Sequence, residues 1–266
     1  MFIAGIDIGS GTTKCVLVDE QGVAQGRAVV KTKADFEKVA REVLDAAQAE
    51  GGLANEEVAY VATTGLGRYA VSFRDIQITD LTCGARGAAT LFPSTKYVLD
   101  IGAQCSRAIK LREGGKVKEF HMNEKCAAGS GGFLERAAKY LEVTIADIGT
   151  LSLEAQKPQT ISSVCAVLAE TEIINHVSEG VAVENILRGI HNSLADRALL
   201  LLKRVGLDGE VTLIGGVALQ QGMIVALREK LGTAVNVPEA PHLTTALGAA
   251  VLGLQRYRRL TTAAAA

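Results

Sequence analysis

Two segments of this chain carry the same local pattern, Ile6-Asp7-Ile8-Gly9 and Leu99-Asp100-Ile101-Gly102, and this repeat constrains the fold more than any other feature. In each copy an apolar run ends on aspartate, isoleucine and glycine, makes a short turn, and resumes as a second apolar run. The first copy is Phe2–Ile8, the turn Gly9-Ser10-Gly11-Thr12-Thr13, then Lys14–Val18. The second is Lys96–Ile101, the turn Gly102-Ala103-Gln104-Cys105, then Arg107–Leu111. Short apolar runs bounded by glycine-rich turns read as hairpin strands, and a repeated hairpin predicts two related substructures.

Helical periods fill the intervals. Asp35–Glu50 places apolar residues at 36, 39, 40, 43, 44 and 47, and Gly51-Gly52 stops it. Val58–Thr63 reads as a strand leading into Thr64-Gly65-Leu66-Gly67. Thr79–Leu91 reads as a helix, with Pro93 beyond its end. Phe133–Leu141, Val164–Ser178 and Asn185–Val205 follow as helices, the last closed by Gly206. Val211–Ile214 is a strand that runs into Gly215-Gly216, and Leu219–Leu231 and Thr245–Tyr257 are the final helices. The pattern predicts an α/β protein with a first lobe over 1–92 and a second over 93–244. Helix 245–257 is expected to pack with the first lobe, and the tail 258–266 to fray.

Composition narrows the function classes. The chain has 266 residues, 48% of them hydrophobic, and a formal net charge of −1. That length supports a substantial core, and near-neutrality gives no electrostatic reason for a nucleic-acid or anionic-membrane partner. No apolar run reaches transmembrane length, and Asp7 interrupts any signal-peptide core, so a cytoplasmic location is expected. The five cysteines, 15, 83, 105, 126 and 165, are odd in number and lack disulfide spacing, so they read as thiols or metal ligands.

The repeated turns have the chemistry of phosphate loops. Glycines let backbone N–H groups face phosphate oxygens, and Ser10, Thr12 and Thr13 add hydroxyls. Asp7 and Asp100 are placed to hold a hydrated Mg²⁺, and Gln104 to orient water. No Walker loop is present. Gly215, Gly216, Val217 and Ala218 follow a strand and offer backbone against which an adenosine could lie. In this order the three segments resemble the actin/hexokinase/Hsp70 superfamily of ATPases, with two phosphate loops and an adenosine loop. That resemblance implies two RNase-H-like lobes around a nucleotide cleft binding ATP.

Cys126 opens Cys126-Ala-Ala-Gly-Ser-Gly-Gly132, and Cys165 opens Cys165-Ala-Val-Leu-Ala-Glu-Thr-Glu172; each stands at a predicted helix start. A helix N-terminus stabilises a thiolate, but two thiolates do not complete a four-ligand site. Either these are ordinary cysteines or a second chain supplies the other two. Asn123–Glu135 and Ser162–Glu172 resemble the BadF/BadG/BcrA/BcrD ATPase family, and the resemblance extends over essentially the whole chain. The family comprises activators of 2-hydroxyacyl-CoA dehydratases and ATP-binding subunits of benzoyl-CoA reductases. The resemblance implies one [4Fe–4S] cluster shared between two protomers, with Cys126 and Cys165 as this chain's ligands. It also implies reduced ferredoxin as donor, an identical or paralogous ATPase subunit across the cluster, and benzoyl-CoA-binding reductase subunits as partners.

Within the family, the second phosphate loop of the dehydratase activators reads Gly-Gly-Gln-Asp, whereas here it is Gly102-Ala103-Gln104-Cys105. A thiol does not replace a carboxylate that orients water, which leaves the water-orienting residue open. The loop tilts the reading to an ATP-hydrolysing electron-transfer subunit of benzoyl-CoA reductase. A homodimeric dehydratase activator, a sugar kinase of the same superfamily and a nucleotide-switched binding module are the alternatives. Cys15 and Cys83 are expected in the core, the four histidines at surface or structural positions, and Glu170 and Glu172 as solvated or interface charges. Thr63–Arg68 reads equally as a site-lining loop or a plain turn.

Overall fold

The computed structural model describes residues 1–53, 58–123 and 129–264, so Cys126 lies outside the described residues. The chain forms two compact units. One holds residues 1–93, 112–117 and 243–266; the other holds 94–111 and 118–242.

The first unit begins with β1 (Phe2–Ile8), β2 (Thr12–Val18) and β3 (Ala24–Lys31), and continues through helix α1 (Phe36–Glu50) to β4 (Val58–Gly65), β5 (Ile76–Gln77) and helix α2 (Asp80–Leu91). Its sheet order is β3-β2-β1-β4-β5. The β1–β2 and β2–β3 pairs are antiparallel; β1–β4 and β4–β5 are parallel. Strand β1 is central and covered on both sides, which explains its unbroken apolar run. Helix α1 buries Val39, Ala40, Val43, Leu44 and Ala47 on one stripe. Asp35 caps it by accepting the Lys38 N–H at 3.0 Å.

The second unit contains β6 (Tyr97–Ile101), β7 (Ser106–Arg112) and β8 (Lys116–Asn123), then helices α3 (Gly131–Tyr140), α4 (Ile148–Leu151), α5 (Ala166–Ser178) and α6 (Val183–Arg204). Strand β9 (Val211–Ile214), helix α7 (Gln221–Leu231) and β10 (Val235–Asn236) complete it. The sheet order β10-β9-β6-β7-β8 repeats that of the first unit strand for strand, with β6–β7 antiparallel and β6–β9 and β9–β10 parallel. Phe133, Ile173, Ile186, Leu194 and Leu213 belong to its core, and each such burial contributes roughly 1.5–3 kcal/mol.

Helix α8 (Thr244–Ala264) packs within the first unit. Its backbone lies on β1, where a Cβ on Gly5 would stand 2.1 Å from Ala246 O, and on α2, where a Cβ on Gly248 would stand 1.8 Å from Cys83 O. Close contacts of this kind account for part of the chain's glycine content. The helix continues past 257 into the tail expected to fray, because Leu260 and the alanines beyond it are good helix formers even when exposed. Strands β3 and β8 are absent from the sequence reading. The β3 burial pattern alternates and β8 has no buried position, so neither carries a buried apolar run, and pairing with β2 or β7 decides them. Cys15 and Cys83 are buried, and burial pushes the Cys83 thiol up to about 12 and the Cys15 thiol higher still.

His191, on α6, is fully buried, and the Leu187 backbone beside its ring opposes the loss of its proton only weakly. It packs against the α7 backbone: a Cβ on Gly222 would stand 2.7 Å from its Nδ1 and 2.0 Å from Ser152 Oγ. Burial, and then the Arg188 charge one turn earlier, hold its pKa down at about 4 from 6.5. Arg188 is itself paired with Glu229 of α7. The unfolded chain therefore binds a proton near 6.5 that the folded chain refuses until about 4. This term is neutral above 6.5 and costs stability as the pH falls towards 4. Between about pH 7.5 and about pH 5.5, wild type should lose about 1.4 kcal/mol more unfolding free energy than His191→Gln. Urea unfolding at the two pH values measures it; equal losses in both proteins would contradict this account of His191.

Candidate functional site

Hairpin register places a base directly opposite each repeated aspartate. Asp7 pairs with Lys14 across β1–β2, and Asp100 with Arg107 across β6–β7. Opposite residues share a face, so each pair closes as an ion pair. Lys14 Nζ lies 3.2 Å from Asp7 Oδ2, and Arg107 Nη1 lies 2.9 Å from Asp100 Oδ2. Both pairs have the same separation of 7 in sequence. Asp-x₆-Lys/Arg in both repeats was therefore a readable signal for two further site residues.

The parallel neighbour of each aspartate strand ends on a glycine with positive φ: Gly65 at 84° and Gly215 at 91°. A Cβ on Gly65 would lie 2.5 Å from Asp7 Oδ1 and from Ile8 O. One on Gly215 would lie 2.6 Å from Asp100 Oδ1 and 2.5 Å from Ile101 O. The two glycines thus make room for the carboxylates in the same way, and neither place admits a side chain. Gly65 gives the Thr63–Arg68 segment its role. The turn is folded under Asp7 and tied by Thr63 Oγ1 donating to Arg68 O and Arg68 Nη1 donating to Gly65 O, each at 2.8 Å.

The loops themselves are held by their carbonyls. In the first unit Gly9 N–H bonds Thr12 O at 3.2 Å, while Thr32 Oγ1 donates to Gly9 O at 2.8 Å. Thr32 has one hydroxyl hydrogen, so Thr13 Oγ1, 2.9 Å away, donates to Thr32. Thr13 is fully buried and supports the loop, unlike Ser10, Gly11 and the exposed Thr12 at its tip. In the second unit, the equivalent carbonyl, Gly102 O, accepts from Gly131 N–H at 2.9 Å, and Ala103 O accepts from Gly132 N–H at 2.8 Å. Here a helix N-terminus holds the loop. Gln104 is exposed at the tip, and Cys105 Sγ lies 3.2 Å from Arg107 Nη2, so the guanidinium spans the thiol and Asp100.

After β9 the chain makes a single 3₁₀ turn, Gly216–Leu219, before α7. Gly216 is exposed, whereas Val217 and Ala218 send their side chains into the core, which leaves their backbone rather than their side chains for any contact outside the core.

Cys165 is the N-cap of α5 and half-exposed. The N–H groups of Leu168 and Val167, with the nearby Arg197 charge, hold its thiol below the usual cysteine range. Around it stand exposed apolar residues, Val164 (77%), Val167 (68%) and Leu168 (54%). Glu170 is no solvated charge: it accepts from Arg136 Nε at 2.6 Å and Tyr140 Oη at 3.2 Å, binding α5 to α3. Glu172 likewise accepts the Ser162 N–H at 2.6 Å, ahead of Cys165. Sequence spacing alone does not show either partner. Among the described residues, no group of three or more His, Cys, Asp or Glu is placed to hold a metal ion, and no helix is long and apolar enough to cross a membrane.

Two units with one strand order, each ending a central strand on a paired aspartate beside a glycine turn, define an actin/hexokinase-like ATPase fold. The chain belongs to the BadF/BadG/BcrA/BcrD ATPase family, which it matches over residues 4–253. It is 43% identical over 269 residues to the D subunit of the benzoyl-CoA reductase of Thauera aromatica, covering 97% of this chain and 94% of that protein. It is 39% identical over 251 residues to the 2-hydroxyisocaproyl-CoA dehydratase activator of Clostridioides difficile, covering 94% of each. The solved structure of the activator of the 2-hydroxyisocaproyl-CoA dehydratase from Clostridium difficile with bound ADPNP superposes with a TM-score of 0.93 at 37% identity, covering 98% of this chain and 97% of that one.

Proposed function

We propose that this chain is the ATP-hydrolysing electron-transfer subunit of a benzoyl-CoA reductase. Asp7 and Asp100 hold a hydrated Mg²⁺, and the N–H groups of Ser10, Gly11, Ala103 and Gln104 bind phosphate oxygens, those of Gly9 and Gly102 being taken by the carbonyls of Thr12 and Cys105. Gly215–Ala218 backs the adenosine. Cys126 and Cys165 provide half of the ligands of a [4Fe–4S] cluster, and an identical or paralogous chain provides the rest. The donor is reduced ferredoxin, and the electron acceptor is a partner subunit that binds benzoyl-CoA. When bound, the cluster supplies one-electron transfer at low potential.

The observation that carries the reading is Cys165 itself. A partly exposed thiol with a lowered pKa caps a helix next to the exposed Val164, Val167 and Leu168, in the same chain as the two glycine loops. A soft sulfur ligand exposed on an apolar surface fits a cluster completed by a second chain. The reductase assignment draws on the 43% identity to the D subunit of a benzoyl-CoA reductase and on Ala103 and Cys105 in the second loop.

The test is the client. Purified without oxygen from its native source, the chain should be recovered with reductase subunits. ATP turnover in that complex should rise when benzoyl-CoA and a low-potential donor are added together. Recovery as a separate dimer whose ATP turnover instead drives dehydration of a 2-hydroxyacyl-CoA would overturn the reductase assignment in favour of the activator reading.

A further inference from the structure

The two phosphate loops are anchored differently. In the first unit the carbonyl of Gly9 is held by the Thr32 hydroxyl, close to the same sheet. In the second, the matching carbonyl of Gly102, and that of Ala103, are held by the first two N–H groups of α3, Gly131 and Gly132. A trans peptide points its C=O and N–H to opposite sides, and the described chain has no cis bond. Fixing these carbonyls on α3 therefore turns the N–H groups of Ala103 and Gln104 away from the helix, as donors on the loop's other face. Whatever binds those donors pulls on peptide planes whose far ends are held by α3. Close packing reinforces the contact: a Cβ on Gly132 would lie 3.0 Å from Ala103 O, and one on Gly131 would lie 3.3 Å from Gly102 O. Ser106, buried at the start of β7, also donates to Gly129 O in the segment that leads from Cys126 into the helix.

Further along α3, on the stripe that begins at Gly132, the helix is tied to the second cysteine helix. Arg136 and Tyr140 of α3 both donate to the Glu170 carboxylate on α5, five residues beyond its Cys165 cap. The Arg136–Glu170 pair is partly shielded and reinforced by the tyrosine, unlike a lone surface ion pair.

We infer that α3 is a connecting rod between the second phosphate loop and α5, and that Glu170 is the positioning residue through which nucleotide binding reaches Cys165. The inference deepens the proposed function, on which it rests for the meaning of the two cysteines. Cys126 precedes the α3 N-terminus in sequence, on the loop side of the strut, whereas Cys165 lies beyond the strut of Arg136, Tyr140 and Glu170, with Arg197 as a second contact near its helix start. Breaking the strut separates the two responses, which a general loss of structure would not do.

The experiment uses iron-free full-length protein, so it does not depend on cluster loading. Iodoacetamide alkylation of Cys126 and Cys165 is followed by peptide mapping, with and without Mg²⁺ and a non-hydrolysable ATP analogue at a concentration saturating for each variant. In wild type both rates should shift by about fivefold or more on nucleotide binding. Glu170→Ala should keep the shift at Cys126 and reduce that at Cys165 to below about twofold. Glu170→Gln, which still accepts from Arg136, should recover most of it. Arg136→Ala cuts the same tie from α3, must give the same split, and carries the test if Glu170→Ala does not fold. A wild-type shift at Cys165 in both strut variants, or no nucleotide shift at either cysteine in wild type, overturns the inference. A chain that binds no iron but shows the split keeps the strut and loses the proposed function; iron binding without the split does the reverse.

Discussion

Asp100→Asn should lower ATP turnover by about 10²- to 10³-fold while leaving the fold intact. The carboxylate stands one residue before the end of β6, buried in a space that Gly215 leaves open, and Arg107 fixes its orientation at 2.9 Å. Asparagine has the same shape, so neither Gly215 nor the hairpin register need move. What is lost is the negative charge that balances Arg107 and that, on the proposed function, draws a hydrated Mg²⁺, and an amide supplies only a neutral dipole in its place. Phosphate release at saturating ATP measures the loss, and a urea transition that stays cooperative, at a lower midpoint because Arg107 loses its partner, shows that folding is retained. Asp7→Asn is the same substitution in the other repeat and should fall in the same range. Turnover within about twofold of wild type in either variant would remove that aspartate from the catalytic machinery.

The second large effect concerns iron. Cys165→Ser should abolish iron binding in protein purified and reconstituted without oxygen, while ATP hydrolysis persists. Serine keeps the cap position, since an N-cap hydroxyl is well accommodated, so α5 should still form. It does not keep the ligand, because a hydroxyl stays protonated at neutral pH where the Cys165 thiol, faced by Leu168 and Val167 N–H groups, is eased towards thiolate. The separation of the two losses matters. Asp100→Asn should lose hydrolysis and keep iron, and Cys165→Ser should lose iron and keep hydrolysis. A single common loss would point to unfolding.

Much of this arrangement was legible in the residues. The repeated Asp-Ile-Gly and the helical periods of 35–50 and 185–205 are local signals, realised as helices over 36–50 and 183–204, and local signals survive folding when the packing they predict is the packing that occurs. What was not legible depends on contacts across the sequence. Strand β3 alternates without an apolar run and is defined by pairing with β2. Glu170 resembles any exposed helix charge until α3 brings Arg136 and Tyr140 to it. Thr13 belongs with the phosphate-loop hydroxyls by spacing, yet Thr32 draws it inward. Val217 and Ala218 belong with the adenosine loop by order, yet the 3₁₀ turn sends both side chains into the core. Lys14 and Arg107 were legible but not used: the spacing was present in both repeats, and its meaning appears only once hairpin register sets base against acid.

The most direct measurement is the iron content of the wild-type protein, purified anaerobically and assayed beside Cys165→Ser. An ATPase carrying half of a shared cluster site predicts about four irons per two chains in wild type and none in the variant. Colourless, iron-free wild-type protein with undiminished ATP turnover would contradict it.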